Sequence, residues 1–419
     1  MTTVTIIGAG LAGCEAAWQL AERNVQIKLH EMKPHAMSPA HQSPYYAELV
    51  CSNSLRGDSL ENAVGLLKEE LRRMNSLIIS CADVTRVPAG GALAVDREAF
   101  ARLVTEKIQT HENITIIEGE VDTIPNDGRV IIASGPLTQG KLADDIAAKL
   151  GTPLFFFDAA APIVTLESID MTHAFWGSRY DKGTPDYVNC PLDKSQYQAF
   201  VQALATAEQA QLRDFEDSRV FEGCLPVEVL ARRGEDALRY GAFKPVGLSG
   251  PDGEKHYAVL QLRKDNAAGD LLNLVGCQTH LTFGEQRRVF GMIPALRNAE
   301  YMRYGVMHRN TYIDSPRHLD ACFRLKSEPR IAFAGQMTGV EGYVESCASG
   351  LVAALGIEFP ETTAIGALAH YISNPAIVNF QPMNINFGLL PPLEQRIRDK
   401  RERYRTISER ALRELYYEE

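Results

Sequence analysis

Val4-Thr5-Ile6-Ile7-Gly8-Ala9-Gly10-Leu11-Ala12-Gly13 decides the fold. The first four residues are β-branched and favour a buried strand. The glycines that follow spell G-x-G-x-x-G. Cys14 to Arg23, rich in Ala, Glu and Leu, predicts a helix, and Val25 to Leu29 predicts a second strand that runs on to Glu31. This strand–helix–strand context makes the motif a dinucleotide-binding turn rather than a chance spacing. Gly8 permits the tight turn, Gly10 lets backbone approach a pyrophosphate, and Gly13 lets the helix pack close to the strand. Ala9, Leu11 and Ala12 complete the loop, and the helix N-terminus offers free N–H groups to phosphate. Glu31 is placed to accept hydrogen bonds from ribose hydroxyls.

Two downstream segments select FAD over NAD. Arg330-Ile331-Ala332-Phe333-Ala334-Gly335-Gln336 reads as a late strand ending in glycine. A turn with Gly339, Val340 and Gly342 follows it, then a small-residue helix over 344–355. Two-part FAD folds place such a strand–turn–helix beside the flavin, where the helix dipole favours negative charge. Val130 to Gly135 fits the intermediate strand of the same folds. No second G-x-G-x-x-G exists, so no dedicated NAD(P) domain is expected. The fold class is therefore α/β, a discontinuous Rossmann-type FAD-binding domain of the glutathione-reductase kind carrying a mixed α/β insertion. The expected division is 1–155 and 325–419 for the two flavin-domain halves and 156–324 for the insertion. In the insertion, 152–157, 163–166 and 257–262 read as strands. Residues 195–214 read as a helix, with Phe200, Val201, Leu204 and Ala207 on one face.

The chain has 419 residues, 45% of them apolar and 23% charged, ordinary values for a folded globular protein. No apolar run is long enough to span a bilayer, and the N-terminus lacks a signal-type pattern. A cytoplasmic location is expected. Eight cysteines at irregular spacing, with no C-x-x-C pair, point to neither a zinc site nor a disulfide scaffold. No metal is expected, and most of these thiols should be buried and inert. The net charge of −10 disfavours a nucleic-acid partner when taken alone. Charge is local, however. Residues 280–330 hold nine Lys/Arg against five Asp/Glu, and 396–405 hold six against two. The second run also fits a solvated helix with i,i+4 ion pairs.

Beyond the glycine turn, four stretches are more specific. They are Glu48-Leu49-Val50-Cys51-Ser52-Asn53-Ser54-Leu55-Arg56, Phe221-Glu222-Gly223-Cys224-Leu225-Pro226-Val227-Glu228, Arg232-Arg233-Gly234, and Gly335 to Ser346. Together with Thr5 to Ala17 and Leu274 to Phe290, they resemble the bacterial folate- and FAD-dependent tRNA (uracil-5-)-methyltransferases. The similarity runs from residue 1 into the Arg-rich C-terminus. Related flavoproteins that modify wobble uridines share the Gly335-Gln336 segment. They carry a longer helical C-terminal domain, and the two cysteine motifs fit the methyltransferases better.

The resemblance implies methylation of uridine 54 in the T-loop of tRNA, with 5,10-methylenetetrahydrofolate as carbon donor, tetrahydrofolate released, and FAD reduced by NADH or NADPH. The residues suit that chemistry. Uracil C5 is a poor nucleophile until a thiolate adds at C6, and the C5 proton must then be removed by a base. Cys224 lies in a Gly223/Pro226 turn near Arg232 and Arg233, and the resemblance makes it the C6 nucleophile. Those two arginines, with Arg288, are candidates for RNA phosphates. Cys51 is the candidate base or flavin-protecting thiol, and Asn53 and Ser54 are expected to face the flavin with Gly335, Gln336, Gly339 and Val340. Glu341, His280 and Arg287 are candidates for the pterin edge, the pterin face and the glutamate tail of the folate. The carbon unit passes either directly from folate to uracil or by way of the flavin; both routes stay open. The rival reading is a flavin-dependent small-molecule oxidoreductase with no RNA partner, which the acidic net charge favours.

Overall fold

The computed structural model describes residues 3–415 except 39, 152, 153, 160, 182, 183, 211–224, 251, 252, 267, 306 and 379. Cys224 and the rest of Phe221–Cys224 fall outside these residues.

Five parallel strands form the central sheet. They are β1 (Thr3–Ile7), β2 (Gln26–Glu31), β3 (Ile114–Glu118), β4 (Arg129–Ile132) and β5 (Ile331–Phe333), in the order β5-β4-β1-β2-β3. The sheet is doubly wound, and the order reverses on either side of β1, where such folds bind ligands at the carboxyl ends of the strands. Helix α1 (Leu11–Ala21) leaves β1 through the glycine turn, and α2 (Tyr343–Leu355) follows β5. The two helices pack closely because Gly350 has no side chain: a Cβ there would lie 2.2 Å from Ala12 O. Val4, Ile6, Leu29, Ile131 and Phe333 are buried in the core beneath them. β1, β2, β4, β5 and both helices occupy the segments read from sequence; β3 carries no motif and was not anticipated.

The insertion has its own core. Six strands pair antiparallel in the spatial order 175–177, 187–192, 258–264, 271–274, 163–165 and 301–303. Helix Lys194–Thr206 covers this sheet with Tyr197, Phe200, Val201 and Leu204 buried, and an Asp193/Gln196 capping box opens it. The helix stops at Thr206, short of the residue 214 expected from its apolar spacing. Beyond it the chain turns to pair with another segment: the Thr282 N–H donates to Glu208 O, and the Ala210 N–H donates to His280 O. Backbone pairing outweighs helix propensity here. The antiparallel ribbon Leu154–Ala159 with Met307–Tyr312 joins the insertion to the flavin fold.

No helix among the described residues is long and apolar enough to cross a membrane, and none of them form a metal-binding cluster of His, Cys, Asp or Glu. The basic tail forms helix Lys400–Glu414, docked through buried Ile407, Ser408 and Ala411. Arg405 pairs with Glu409 across one turn of its exposed face.

Glu70 is fully buried and caps another helix: its carboxylate oxygens accept the Ala364 and Ile365 N–H groups at 2.7 and 2.9 Å. Burial pushes its carboxyl up to about 8, against roughly 4.3 in an unfolded chain. The folded state therefore holds a proton that the unfolded state loses first. The stability this proton contributes is complete below about pH 4.3 and fades as pH rises towards 8. Glu70→Gln keeps an acceptor and removes the titration. Its Tm relative to the parent should climb from pH 5 to pH 8; a difference independent of pH would contradict the assignment.

Candidate functional site

The carboxyl ends of β1, β4 and β5 open into a cavity of about 800 Å³. Its floor is the glycine turn. Gly8 sits at φ +99°, where a Cβ would strike Ala133 O at 2.6 Å. Gly13 is not in the cavity wall; its missing Cβ would lie 1.8 Å from Gly8 O, so it serves the helix–strand contact. Gly10 faces open space, with nothing within 4 Å of a Cβ position. It caps α1 with no side-chain hydrogen bond, so the first N–H groups of the helix, at cavity-lining Leu11 and Ala12, are left for an anion. Glu31 lines the cavity too. Its Oε2 accepts the Ala9 N–H at 2.7 Å and its Oε1 the Lys33 N–H at 3.0 Å, so the acid also fixes the turn. A bare cradle, an uncapped helix and a carboxylate at the end of the adjacent strand fit a dinucleotide.

The opposite wall comes from the late strand and turn. Gly335, Gln336 and Glu341 line the cavity, and Gln336 Nε2 donates to both carboxylate oxygens of Glu341 at 3.0 and 2.9 Å. Gly339 and Val340 lie behind this wall. Gly339 packs on the Phe380 ring, and Val340 is fully buried in a bridge with Met383.

Cys51 is the cysteine that matters in this cavity. Seven thiols are described. Six are buried, and Cys51 alone is partly exposed and in the cavity wall. Burial pushes the Cys190 thiol up to about 12 and the Cys81 thiol up to about 11, values that hold them as inert thiols. The Cys51 loop is held from three sides. The Tyr343 hydroxyl, at the start of α2, accepts the N–H groups of Cys51 and Ser52 at 2.8 and 3.2 Å. Arg97 donates to Leu49 O at 2.7 Å and pairs with Asp265 of the insertion. Arg263, on strand Ala258–Lys264, donates to Ser52 Oγ at 2.7 Å and to Asn53 Oδ1 at 3.0 Å. Asn53 is consequently not in the cavity wall. Its Nδ2 donates to Val95 O and Lys264 O, so the side chain is a buried strut between the flavin fold and the insertion. Ser54 does line the cavity.

Sequence reading missed Arg97, Arg263 and Tyr343, because each acts on a loop far from it in the chain. Arg263→Ala would leave Ser52 and Asn53 short of a donor in a nearly buried place, which costs about 1–3 kcal/mol. Expected is a kcat lowered about tenfold or more with flavin content retained; unchanged kcat would mean the loop does not need this anchor.

The remaining candidates stand outside the cavity wall. His280 is captured by fully buried Glu228: the carboxylate lies 2.9 Å from His280 Nδ1 and also accepts the His280 N–H and the Thr279 hydroxyl. Arg232 donates to Ala205 O, Arg233 is exposed at the end of the short helix Val227–Arg232, and Arg288 pairs with Glu285. Arg287 lies 5.4 Å over the Tyr304 ring. One contact ties their region to the cavity. The Val227 N–H donates to the carbonyl of cavity-lining Gln278 at 2.7 Å. Val227 is three residues after Cys224, a chain reach of at most about 11 Å.

The family profile of Glucose inhibited division protein A matches residues 3–359. The chain is 56% identical to the methylenetetrahydrofolate–tRNA-(uracil-5-)-methyltransferase TrmFO of Acetivibrio thermocellus, over 98% of this chain and 97% of the relative. It is 57% identical to the protein of the same name from Desulforamulus reducens, over 98% and 96%. Among solved structures, Aquifex aeolicus GidA in its form II crystal superposes with a TM-score of 0.71 at 15% identity, over 99% of this chain and 73% of that one. That likeness speaks for the fold.

Proposed function

The chain belongs to the methylenetetrahydrofolate–tRNA-(uracil-5-)-methyltransferase family, and from that membership we propose how its residues methylate C5 of a tRNA uracil with a folate-borne carbon and FAD. The observation that carries the reading is the placement of a partly exposed cysteine, Cys51, in the wall of a dinucleotide cavity whose rim is bonded to the segment after Cys224. The rival oxidoreductase reading has no use for either cysteine motif.

In this proposal the Cys224 thiolate adds to uracil C6, and the electron pair displaced from the C5–C6 bond makes C5 the nucleophile. C5 bonds to the methylene carbon of the folate. Cys51 then takes the C5 proton as the carbon–nitrogen bond to the folate breaks, releasing tetrahydrofolate and leaving an exocyclic methylene at C5; the C6–S bond breaks to return the thiolate as hydride reaches that methylene. FAD, when bound, supplies the hydride that turns methylene into methyl, and NADH or NADPH restores it. The α1 N-terminus and the glycine turn would hold the pyrophosphate, and Glu31 the ribose. Gln336 and Glu341 present an amide and a carboxylate to a flat heterocycle above them, which suits the amino-pyrimidine edge of a pterin. The target is uridine 54 of the T-arm, the enzyme acts in the cytoplasm, and the chain divides near residues 155 and 325.

The test reduces the purified holoprotein anaerobically with NADPH or NADH, then adds methylenetetrahydrofolate and a T-arm transcript. Methyl incorporation that needs every component and vanishes when U54 is replaced by C supports the reading. A flavin that reduces normally but is never reoxidised by folate and RNA together would refute it.

A further inference from the structure

An aromatic stack stands on the insertion, beyond the cavity. Phe283, Tyr304 and Tyr301 form a three-ring stack. Phe283 and Tyr304 have centroids 4.4 Å apart and planes inclined by 15°, and Tyr301 and Tyr304 are 5.0 Å apart and inclined by 6°. Tyr304 is the middle ring. Tyr301 packs on the insertion core, and its hydroxyl donates to Gln286 O. Phe283 is the outermost ring and is 55% exposed. An exposed phenylalanine at the first position of an eight-residue helix gives the helix nothing, because Thr282 already caps it. The helix carries Arg287, whose guanidinium lies over Tyr304, and Arg288 on its exposed side. Arg288 is paired with Glu285, so the cation at this edge is Arg287; a flat apolar face backed by two further rings, with a guanidinium beside it, is the chemistry that stacks a nucleobase.

We propose that the exposed face of Phe283 stacks on a base of the T-arm next to the target uridine. This rests on the tRNA reading above. A uridine drawn out of its stack for chemistry leaves its neighbour without a stacking partner, and an aromatic platform replaces that partner. The place is suitable. Phe283 is five residues from Gln278, which lines the cavity and holds the segment following Cys224, and five residues span at most about 18 Å. That is within the width of an RNA stem-loop.

The test uses the full holoenzyme and a T-arm transcript. Phe283→Ala should raise KM and Kd for the RNA about tenfold, with kcat within about twofold. It should also abolish the quenching of 2-aminopurine placed beside position 54. Phe283→Trp should restore affinity and quenching. Reduction of the flavin by NADPH without RNA reads the integrity of the fold and should be unchanged in both variants. Parent enzyme that methylates the RNA, with KM and quenching unmoved by Phe283→Ala, overturns this inference alone. So does a self-association that Phe283→Ala abolishes while RNA affinity stays constant. A parent enzyme that neither binds nor methylates the RNA overturns the reading beneath it.

Discussion

Cys224→Ala is expected to abolish the covalent enzyme–RNA adduct and turnover together, while the flavin still binds and is still reduced. The reason is chemical. Without a thiolate at C6, C5 keeps the weak nucleophilicity of an ordinary vinylogous amide carbon, and no other group in the proposal replaces it. A drop in kcat of at least a thousandfold follows, about 4 kcal/mol of transition-state stabilisation. Denaturing gel electrophoresis with a 5-fluorouridine T-arm checks it: the parent gives a shifted band because fluorine cannot leave as a proton does, and the variant should give none. A shifted band that persists in Cys224→Ala would remove this residue from the role.

The second large effect separates the two cysteines. Cys51→Ala should still form the adduct, because C6 addition does not use this thiol, and should then stall with the C5 proton in place. RNA binding should stay within about twofold of the parent while turnover falls by a hundredfold or more, the usual contribution of a positioned base. Proton exchange at C5, followed by tritium release from 5-tritiated uridine, reads the step directly. Release at the parent's rate in Cys51→Ala would leave Cys51 only a structural or protective part. The loop geometry favours the chemical role: Tyr343 and Arg97 bond its backbone and Arg263 the side chains of Ser52 and Asn53, so three elements hold the loop in register.

How much of this was legible in the sequence follows from how local each signal is. The glycine turn is local: a left-handed φ at Gly8, a bare cradle at Gly10 and a close helix approach at Gly13 each demand a residue type within a few positions, and the structure has that geometry at all three. The late strand and its turn were legible for the same reason, and Gly335, Gln336 and Glu341 do reach the cavity. Asn53 shows the limit. A short polar residue beside a reactive cysteine reads as a cofactor contact, yet its amide is consumed by Val95 and Lys264 backbone and by Arg263. Nothing within 200 residues of Asn53 announces Arg263. His280 shows the same: Glu228, 52 residues earlier, takes its ring nitrogen. Helix 194–206 failed in the opposite direction, because a backbone pairing with residues 280–282 ended it before its apolar pattern did.

In the proposed reaction one cavity brings a folate carbon to C5 of a tRNA uracil. The most direct measurement is nucleoside mass spectrometry of an unmodified T-arm transcript after incubation with the reduced holoenzyme and folate labelled with ¹³C at its methylene. The expected product is 5-methyluridine at position 54 carrying the label in its methyl group. Unlabelled RNA alongside a flavin that is reduced and reoxidised would contradict it.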